Sequence, residues 1–498
     1  MANLLFIDKG MPNVGVAYMA SYLRKEGHTV DYVRASLKSM FLPNIEIDLP
    51  DYINTVLNKK IDMFCFSLMA IDWPWVKEKI GIMKKLYPEI PVIVGGPFAT
   101  TSPEVILRNS PADYVCVGDG EVPLLRMAQA IDAGTLGRDI PSIPNVSYRE
   151  NGNEVIQEIT YYVADLDEHP FPDFSIFDGQ FSKHFFIYPG IITSRGCPYS
   201  CTFCSSPSLK KLYSAKGKFV RQHSVEYMIS FMEHLMRQYG CKSFIINDDI
   251  FFLNKQWLRS FAPAYRDRIR IPFTCLGNPN CVDGEVASLL GSMKCKLAIM
   301  GVQSGSEEVR RKLKRNETNQ QIIDMADAFR KAGVHFSVNH IFDYPFDTDA
   351  YIYESALLYN QIRPAMIDTT SLVYFPKAEI IQDGFALKCI SEKDVETIEA
   401  GEGSGQVNPY RCDNNKKYAQ YNIFFNIIPL LPHRMVRSVL RSVSRFKKVA
   451  SVLSLLPGSS AALVKLILAF RNRTAYIQLA FFPELIFYFK RKINLTYK

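Results

Sequence analysis

The chain has 498 residues, 48% of them hydrophobic and 22% charged, a globular composition long enough for two or three domains. Its net charge of +8 is uneven: residues 420–498 hold 13 Lys and Arg against one acid, Glu484, which leaves the rest at −4 and gives no reason to expect a nucleic-acid partner. The 11 cysteines are scattered apart from one trio, which speaks against a secreted disulfide framework and for a reducing, cytoplasmic setting.

The opening stretch, Met1-Ala2-Asn3-Leu4-Leu5-Phe6-Ile7-Asp8, lacks a basic region and a long apolar core, so it reads as a first strand and not as a signal peptide. Leu4–Asp8 is followed by a Gly-rich loop, Gly10–Gly15, which contains Pro12 and Val14. Apolar residues at Val16, Met19, Ala20 and Leu23 then have helical spacing. Further strands are expected at Thr29–Val33, Met63–Leu68, Val92–Val94 and Tyr114–Val117, with helices between them. That alternation predicts a doubly wound parallel sheet, whose ligands bind at the carboxyl ends of the strands. Four loops lie at such ends: Gly10–Gly15, Ser67-Leu68-Met69, Gly95-Gly96-Pro97 and Gly118-Asp119-Gly120-Glu121. Singly, each is an ordinary turn. As a set they describe a crevice for a large ligand, with a flavin or nucleotide as one candidate and an empty fold as another.

Ala164–Asp173 is acidic and Pro-rich and reads as an extended linker. An apolar, strand-like run, Ile191-Ile192-Thr193-Ser194, then leads into Cys197, Cys201 and Cys204. Three thiolates at spacings of four and three reach three corners of one iron–sulfur cube and leave its fourth iron open. Zinc is the alternative, but structural zinc sites are closed by four ligands, and no Cys or His completes the set before His223.

Cys197-x-x-x-Cys201-x-Phe203-Cys204 resembles the cluster motif of the radical S-adenosylmethionine enzymes. The resemblance implies a [4Fe-4S] cluster whose open iron binds S-adenosylmethionine and whose electron cleaves it to a 5′-deoxyadenosyl radical, with Phe203 near the adenine. The N-terminal loops resemble the cobalamin-binding domain fused to one class of these enzymes: Ser67 and Gly95-Gly96 match its serine and double-glycine positions, and Gly118-Asp119-Gly120-Glu121 a related acidic run. On that basis Pro12, Val14, Gly15, Ser67, Gly95, Gly96, Gly118 and Glu121 are expected at the cobalamin. Where related domains carry a cobalt-binding histidine, this chain has Asp8-Lys9-Gly10-Met11, so no histidine ligand is expected. His28 reads as structural.

After the cysteines, strands are expected at Ser243–Asp249, Phe273–Gly277, Leu297–Gly305, His335–Phe342 and Ile367–Phe375. With the cysteine-bearing strand they make six, as in the family's partial (β/α)6 barrel. The resemblance assigns Asp248, Asp249, Gln303 and Ser304 to S-adenosylmethionine. Ile341–Thr348 departs from the family's "ilGlPgET" run, with Asp343 and Phe346 in place of glycines.

From Ser391 the barrel pattern stops. Glu396–Gly405 reads as a loop. Met435–Val449 places Arg437, Arg441, Arg445 and Lys448 at spacings of four, four and three, as on one helical face, and two apolar runs follow, Val449–Phe470 and Ala475–Phe489. Neither run is long and apolar enough to span a membrane. The segment suits either an anionic membrane surface or a helical cap on the barrel.

The expected architecture is α/β: a Rossmann-like cobalamin domain (1–145), a linker (146–185), a radical S-adenosylmethionine domain (186–385) and a helical, basic C-terminal region (386–498). The expected function is cobalamin-dependent methylation of an unactivated carbon in a small-molecule or lipid-like substrate. A reductase, flavodoxin or ferredoxin would donate electrons, and the enzyme would be cytoplasmic or peripheral to the inner membrane face. A cyclase, oxidase or rearrangement enzyme and a non-catalytic cobalamin or redox sensor are the alternatives. No residue is assigned to hydrogen transfer.

Overall fold

The computed structural model describes residues 1–10, 12–37, 45–214, 216–402, 416–456 and 459–471. Eight strands form the first sheet: β1 (Asn3–Lys9), β2 (Thr29–Leu37), β3 (Ile45–Glu46), β4 (Met63–Ser67), β5 (Val92–Gly95), β6 (Tyr114–Cys116), β7 (Val146–Glu150) and β8 (Asn153–Val155). Their spatial order is β3-β2-β1-β4-β5-β6-β7-β8. Strands β2, β1, β4, β5 and β6 run parallel, while β3 pairs antiparallel at one edge and the hairpin β7–β8 joins antiparallel at the other. The hairpin β7–β8 carries the sheet past residue 145. Strand order reverses between β1 and β4, which opens the crevice where such sheets bind ligands.

Both faces of this sheet are covered, and the period of two sorts its side chains. Leu4, Phe6, Val30, Tyr32, Met63 and Cys65 share one core with the helices Val14–Lys25 and Glu121–Asp132. Leu5, Ile7, Val33, Ala35, Phe64 and Phe66 share the other core with the helix Trp73–Leu86. His28 is buried, and its Nδ1 accepts from the Ala2 amide at 3.4 Å, a structural role.

The second sheet is β9 (Gly190–Ile191), β12 (Phe244–Ile246), β13 (Phe273–Gly277), β14 (Cys295–Gln303), β15 (His335–Phe342) and β16 (Met366–Ser371), all parallel and in that order. Phe273, Cys275, Ala298, Met300, Val338 and Phe342 pack outward against the surrounding helices. The alternate residues face the inside of the barrel.

The cysteine-bearing run is not one strand, as expected from its apolar pattern. It breaks after Ile191, and β10 (Ser194–Arg195) turns away to pair antiparallel with β11 (Arg221–Gln222). The cause is Asp248, which captures the Thr193 and Ser194 groups as described below.

The C-terminal region also differs from expectation in two places. Glu392–Glu399 is a helix started by a Ser391–Asp394 capping box and held by buried Ile398, so only the end of the expected loop at 396–405 is non-helical among the described residues. The basic stretch 435–449 is two helices, His433–Val439 and Val443–Leu453, because Ser442 caps the second; its cations do not share one helical face. Both helices, with Lys416–Ile427 and Ser459–Arg471, pack on the barrel. Phe425 packs on His340 and Phe342 of β15, and Asn422 and Asn426 bond Thr369 of β16. No helix among the described residues is long and apolar enough to cross a membrane. Ala475–Phe489 and Cys412 lie outside the described residues.

Candidate active site

The cysteines sit on the loop that follows β10. Gly196, at φ +90, must be glycine: a Cβ there would meet Phe219 O at 2.6 Å. The chain then carries Cys197, Cys201 and Cys204 before the helix Ser206–Tyr213. The loop is fastened to the barrel by Thr202 N to Leu313 O and Ile380 N to Thr202 O. Cys201 is buried; Cys197 and Cys204 are half-buried. Burial pushes the Cys197 thiol up to about 12 and raises Cys201 too, although Arg315 opposes the rise at Cys201, with Nη1 3.6 Å from its Sγ. Such thiols surrender their protons to a metal, not to water. Arg315 is itself fixed by Glu317 at 2.6 Å and by the Gly301 carbonyl. Among the described residues, no three His, Cys, Asp or Glu side chains stand close enough together to hold a single ion. The donor set of three thiols and one neighbouring cation fits an iron–sulfur cluster.

The residues expected at S-adenosylmethionine divide into two groups. Phe203 is partly buried beside Tyr344, with ring centroids 6.2 Å apart. Gln303 ends β14 at φ +68, and its Oε1 is buried with no hydrogen-bond partner. A polar atom held in this way, on a strained strand end, fits a bound polar ligand. Asp249 stands exposed at the mouth of the barrel. Asp248 goes elsewhere: it is buried and accepts from Thr193 N at 2.5 Å, from Thr193 Oγ1, and from Ser194 Oγ at 2.7 Å. Burial raises its carboxyl to about 6, and those same bonds hold it down. Ser304 is likewise spent on its own chain, accepting from Ser306 N at 3.2 Å.

On the first sheet, the structure brings Pro12, Val14, Gly15, Ser67, Gly95 and Gly96 to the crevice at the ends of β1, β4 and β5. Asn13 links two of these loops. Its Oδ1 accepts from Gly15 N at 3.0 Å and caps the helix, while its Nδ2 donates to Ser67 Oγ at 3.1 Å. At Gly96, φ +99, a Cβ would strike Leu68 O at 2.6 Å, so this tight strand-end turn admits only glycine. Met69 is 54% exposed and Ile71 38%, which gives the mouth an apolar rim. An apolar rim over backbone-lined loops fits a large, flat ligand such as cobalamin.

Gly118 and Glu121 follow β6, and both touch residues of the second domain. A Cβ on Gly118 would lie 3.1 Å from Tyr213 Oη, just after the cysteine loop. Glu121 Oε1 accepts from Arg195 Nη2 at 2.7 Å, and Asp119 Oδ2 accepts from Arg221 Nη1 at 2.5 Å. Their part of the expected site is therefore the contact between the domains. The sequence reasoning missed Asn13, Arg195, Arg221, Arg315 and Tyr344. Only Asn13, directly before a helical period, carries a local signal.

A B12 binding domain model matches residues 7–128, and a Radical SAM superfamily model matches residues 191–358. The chain is 28% identical to an uncharacterized methyltransferase of Pyrococcus horikoshii over 340 residues, 68% of this chain and 70% of that one. It is similar in fold to the cobalamin-dependent S-adenosylmethionine radical enzyme OxsB, with a TM-score of 0.67 at 14% identity over 95% of this chain and 76% of that one. It is also similar to the radical S-adenosylmethionine methyltransferase TsrM from Kitasatospora setae, solved with cobalamin and a [4Fe-4S] cluster. There the TM-score is 0.60 at 17% identity, over 76% of this chain and 77% of that one.

Proposed function

The chain belongs to the cobalamin-binding radical S-adenosylmethionine enzymes, and from that premise we propose that it methylates an unactivated carbon of a small-molecule or lipid-like substrate. Its cofactors are a [4Fe-4S] cluster, S-adenosylmethionine and cobalamin. Together they supply a methyl group and a carbon-centred radical, chemistry that amino acids lack. Cys197, Cys201 and Cys204 would hold the cluster. Phe203, Gln303 and Asp249 would face S-adenosylmethionine. The loops at Pro12–Gly15, Ser67 and Gly95-Gly96 would hold cobalamin. A reductase, flavodoxin or ferredoxin would supply the electron.

The observation that carries this reading is the tie between Glu121 and Arg195. It joins the loop after β6 of the first sheet to the strand that leads into Gly196 and the cysteines, which supports a reading in which the two cofactors act together. The relative from Pyrococcus horikoshii, described as a methyltransferase, supports methyl transfer over the alternatives. The test uses S-adenosylmethionine bearing a trideuterated methyl group, incubated with reconstituted enzyme and extracts of small molecules and lipids. The expected product gains one methyl with all three deuterons at a carbon that was not acidic. Transfer only to nitrogen, oxygen or sulfur would contradict the proposal.

The exposed side of the C-terminal helices favours a lipid-like substrate at a membrane surface. Met435, Val452, Leu455, Leu463 and Phe470 are more than half exposed, and Arg434, Arg437, Arg441, Arg445 and Lys448 are exposed beside them. Apolar and cationic side chains together suit the anionic inner face of a membrane. Flotation with anionic vesicles should carry the protein up and should weaken when Arg437, Arg441 and Arg445 become Glu. Equal flotation of both proteins would remove the membrane from the account.

A further inference from the structure

We propose that Arg195 is a positioning residue, through which Asp119 and Glu121 of the first domain set the cysteine loop against the glycine-rich strand ends. Arg195 lies two residues before Cys197, on a ribbon that belongs to neither large sheet. From the barrel side, Asp248 holds the ribbon by Thr193 and Ser194. On its other side it meets groups of the first domain and the linker, with the Tyr213 ring of the second domain beside Arg221. Arg195 Nη2 donates to Glu121 Oε1 at 2.7 Å and Nη1 to Asp119 Oδ1 at 3.3 Å. Its strand partner Arg221 donates from Nη1 to Asp119 Oδ2 and to the Val163 carbonyl, each at 2.5 Å. Two cations and two anions cancel. Asp119, Glu121 and Arg221 are all buried, so water competes weakly for their charges.

A second contact reaches the same ribbon from the cobalamin side. Tyr18 lies on the helix that begins just after Asn13, and the Arg195 guanidinium sits 5.2 Å from its ring centroid. Tyr18 Oη is 2.9 Å from Nε2 of His223, the residue after β11, and His223 Nδ1 is 2.8 Å from Asp167 of the linker. The helix that follows the Gly10–Gly15 loop and the strand that leads into the cysteines are thus joined through Tyr18, Arg195 and His223. Ordinary interface ion pairs would add cohesion anywhere on this surface. These converge on the residue that fixes where the cysteine loop begins, so they set a distance as well as an affinity.

The inference rests on the reading that cluster and cobalamin both bind, and its test separates the two. Wild type, Glu121→Gln, Asp119→Asn and Arg195→Lys are loaded with both cofactors, and iron and cobalamin are quantified. The paramagnetic resonance of the reduced cluster beside cobalt(II) cobalamin is then recorded. The magnetic interaction between the two centres should be well defined in wild type, broadened in Glu121→Gln and Asp119→Asn at full cofactor content, and partly retained in Arg195→Lys. Full loading with an unchanged interaction in the variants, or no interaction in fully loaded wild type, overturns the inference. A wild type that takes up no cobalamin overturns the underlying reading instead. Should a variant load poorly, hydrogen exchange on cofactor-free protein decides. The amides of Arg221 and His223 should exchange about tenfold faster in Glu121→Gln while β1 and β4 stay protected. A uniform change, or none, overturns the inference.

Discussion

Asp343 occupies a position where a glycine stands in the family pattern, and it does so at φ +67. The strain of a non-glycine residue there costs on the order of 1 kcal/mol or more. Its carboxylate offsets that cost by accepting from Ser371 Oγ at 2.6 Å and from the Tyr418 amide at 3.3 Å, at the start of a C-terminal helix. The departure from the family loop therefore anchors the C-terminal region. Beside it, burial lifts the Asp347 carboxyl from 3.8 to about 8. The folded state keeps a proton that the unfolded chain loses near pH 4. The stabilising contribution is thus complete below that pH and is lost as pH rises through about 8. Replacing Asp347 with Asn removes the dependence. The melting temperature of cofactor-free wild type should fall relative to Asp347→Asn between about pH 5 and pH 8. A constant difference across that range would refute the assignment. The three cysteines were legible in the sequence because their geometry is local, four and three residues apart. Arg195 and Arg221 were not, because their acid partners lie far along the chain, nor was Arg315, whose acid Glu317 is close in sequence but whose thiol partner Cys201 is brought to it only by the fold.

Among the elements, the ribbon β10–β11 and the C-terminal helices depart most from what periodicity suggests. Apolar residues at 191–192 look like the core of a long strand, yet a buried aspartate from the next strand pulls the chain out of the sheet. Periodicity reports burial but does not report which backbone groups a distant carboxylate will claim. The C-terminal helices combine both readings of their sequence: Val436, Leu440, Phe446 and Ala450 are buried against the barrel, while the basic side remains exposed. Their main polar fastening is Asp349, which pairs with Lys417, with Lys447 at 2.7 Å and with Tyr421 Oη at 3.0 Å. These bonds hold its carboxyl down to about 2 against the opposing effect of burial. Asp349→Asn should therefore cost about 1–2 kcal/mol of stability. It should also speed hydrogen exchange in Lys416–Ile427 and Val443–Leu453 while leaving β13 and β14 protected. Equal exchange in both helices would show that apolar packing alone holds them.

At the scale of the whole molecule, each sheet carries one half of the proposed chemistry, and the loop after β6 of the first meets the ribbon β10–β11 beside the second. The alternation of strands and helices made both sheets legible, because fully buried parallel strands leave continuous apolar runs. The join between them was not legible. Gly118-Asp119-Gly120-Glu121 reads in sequence as one more loop around a ligand. In the fold its acids cross to the other domain and meet Arg195 and Arg221. The same join makes a prediction for the cluster ligands. Changing Cys197, Cys201 and Cys204 to Ala should abolish iron binding, while cobalamin binding on the first sheet persists, because Asn13 ties the crevice loops to one another within the first domain. Loss of both would mean that the two sites do not fold independently.

The central claim is that both cofactors act together and that S-adenosylmethionine is consumed in two ways. The most direct test is anaerobic product analysis of the reconstituted, reduced protein supplied with cobalamin and S-adenosylmethionine. The account predicts both S-adenosylhomocysteine and 5′-deoxyadenosine, with the deoxyadenosine lost in the triple cysteine variant. Deoxyadenosine without S-adenosylhomocysteine, from protein that holds both cofactors, would contradict methyl transfer through cobalamin.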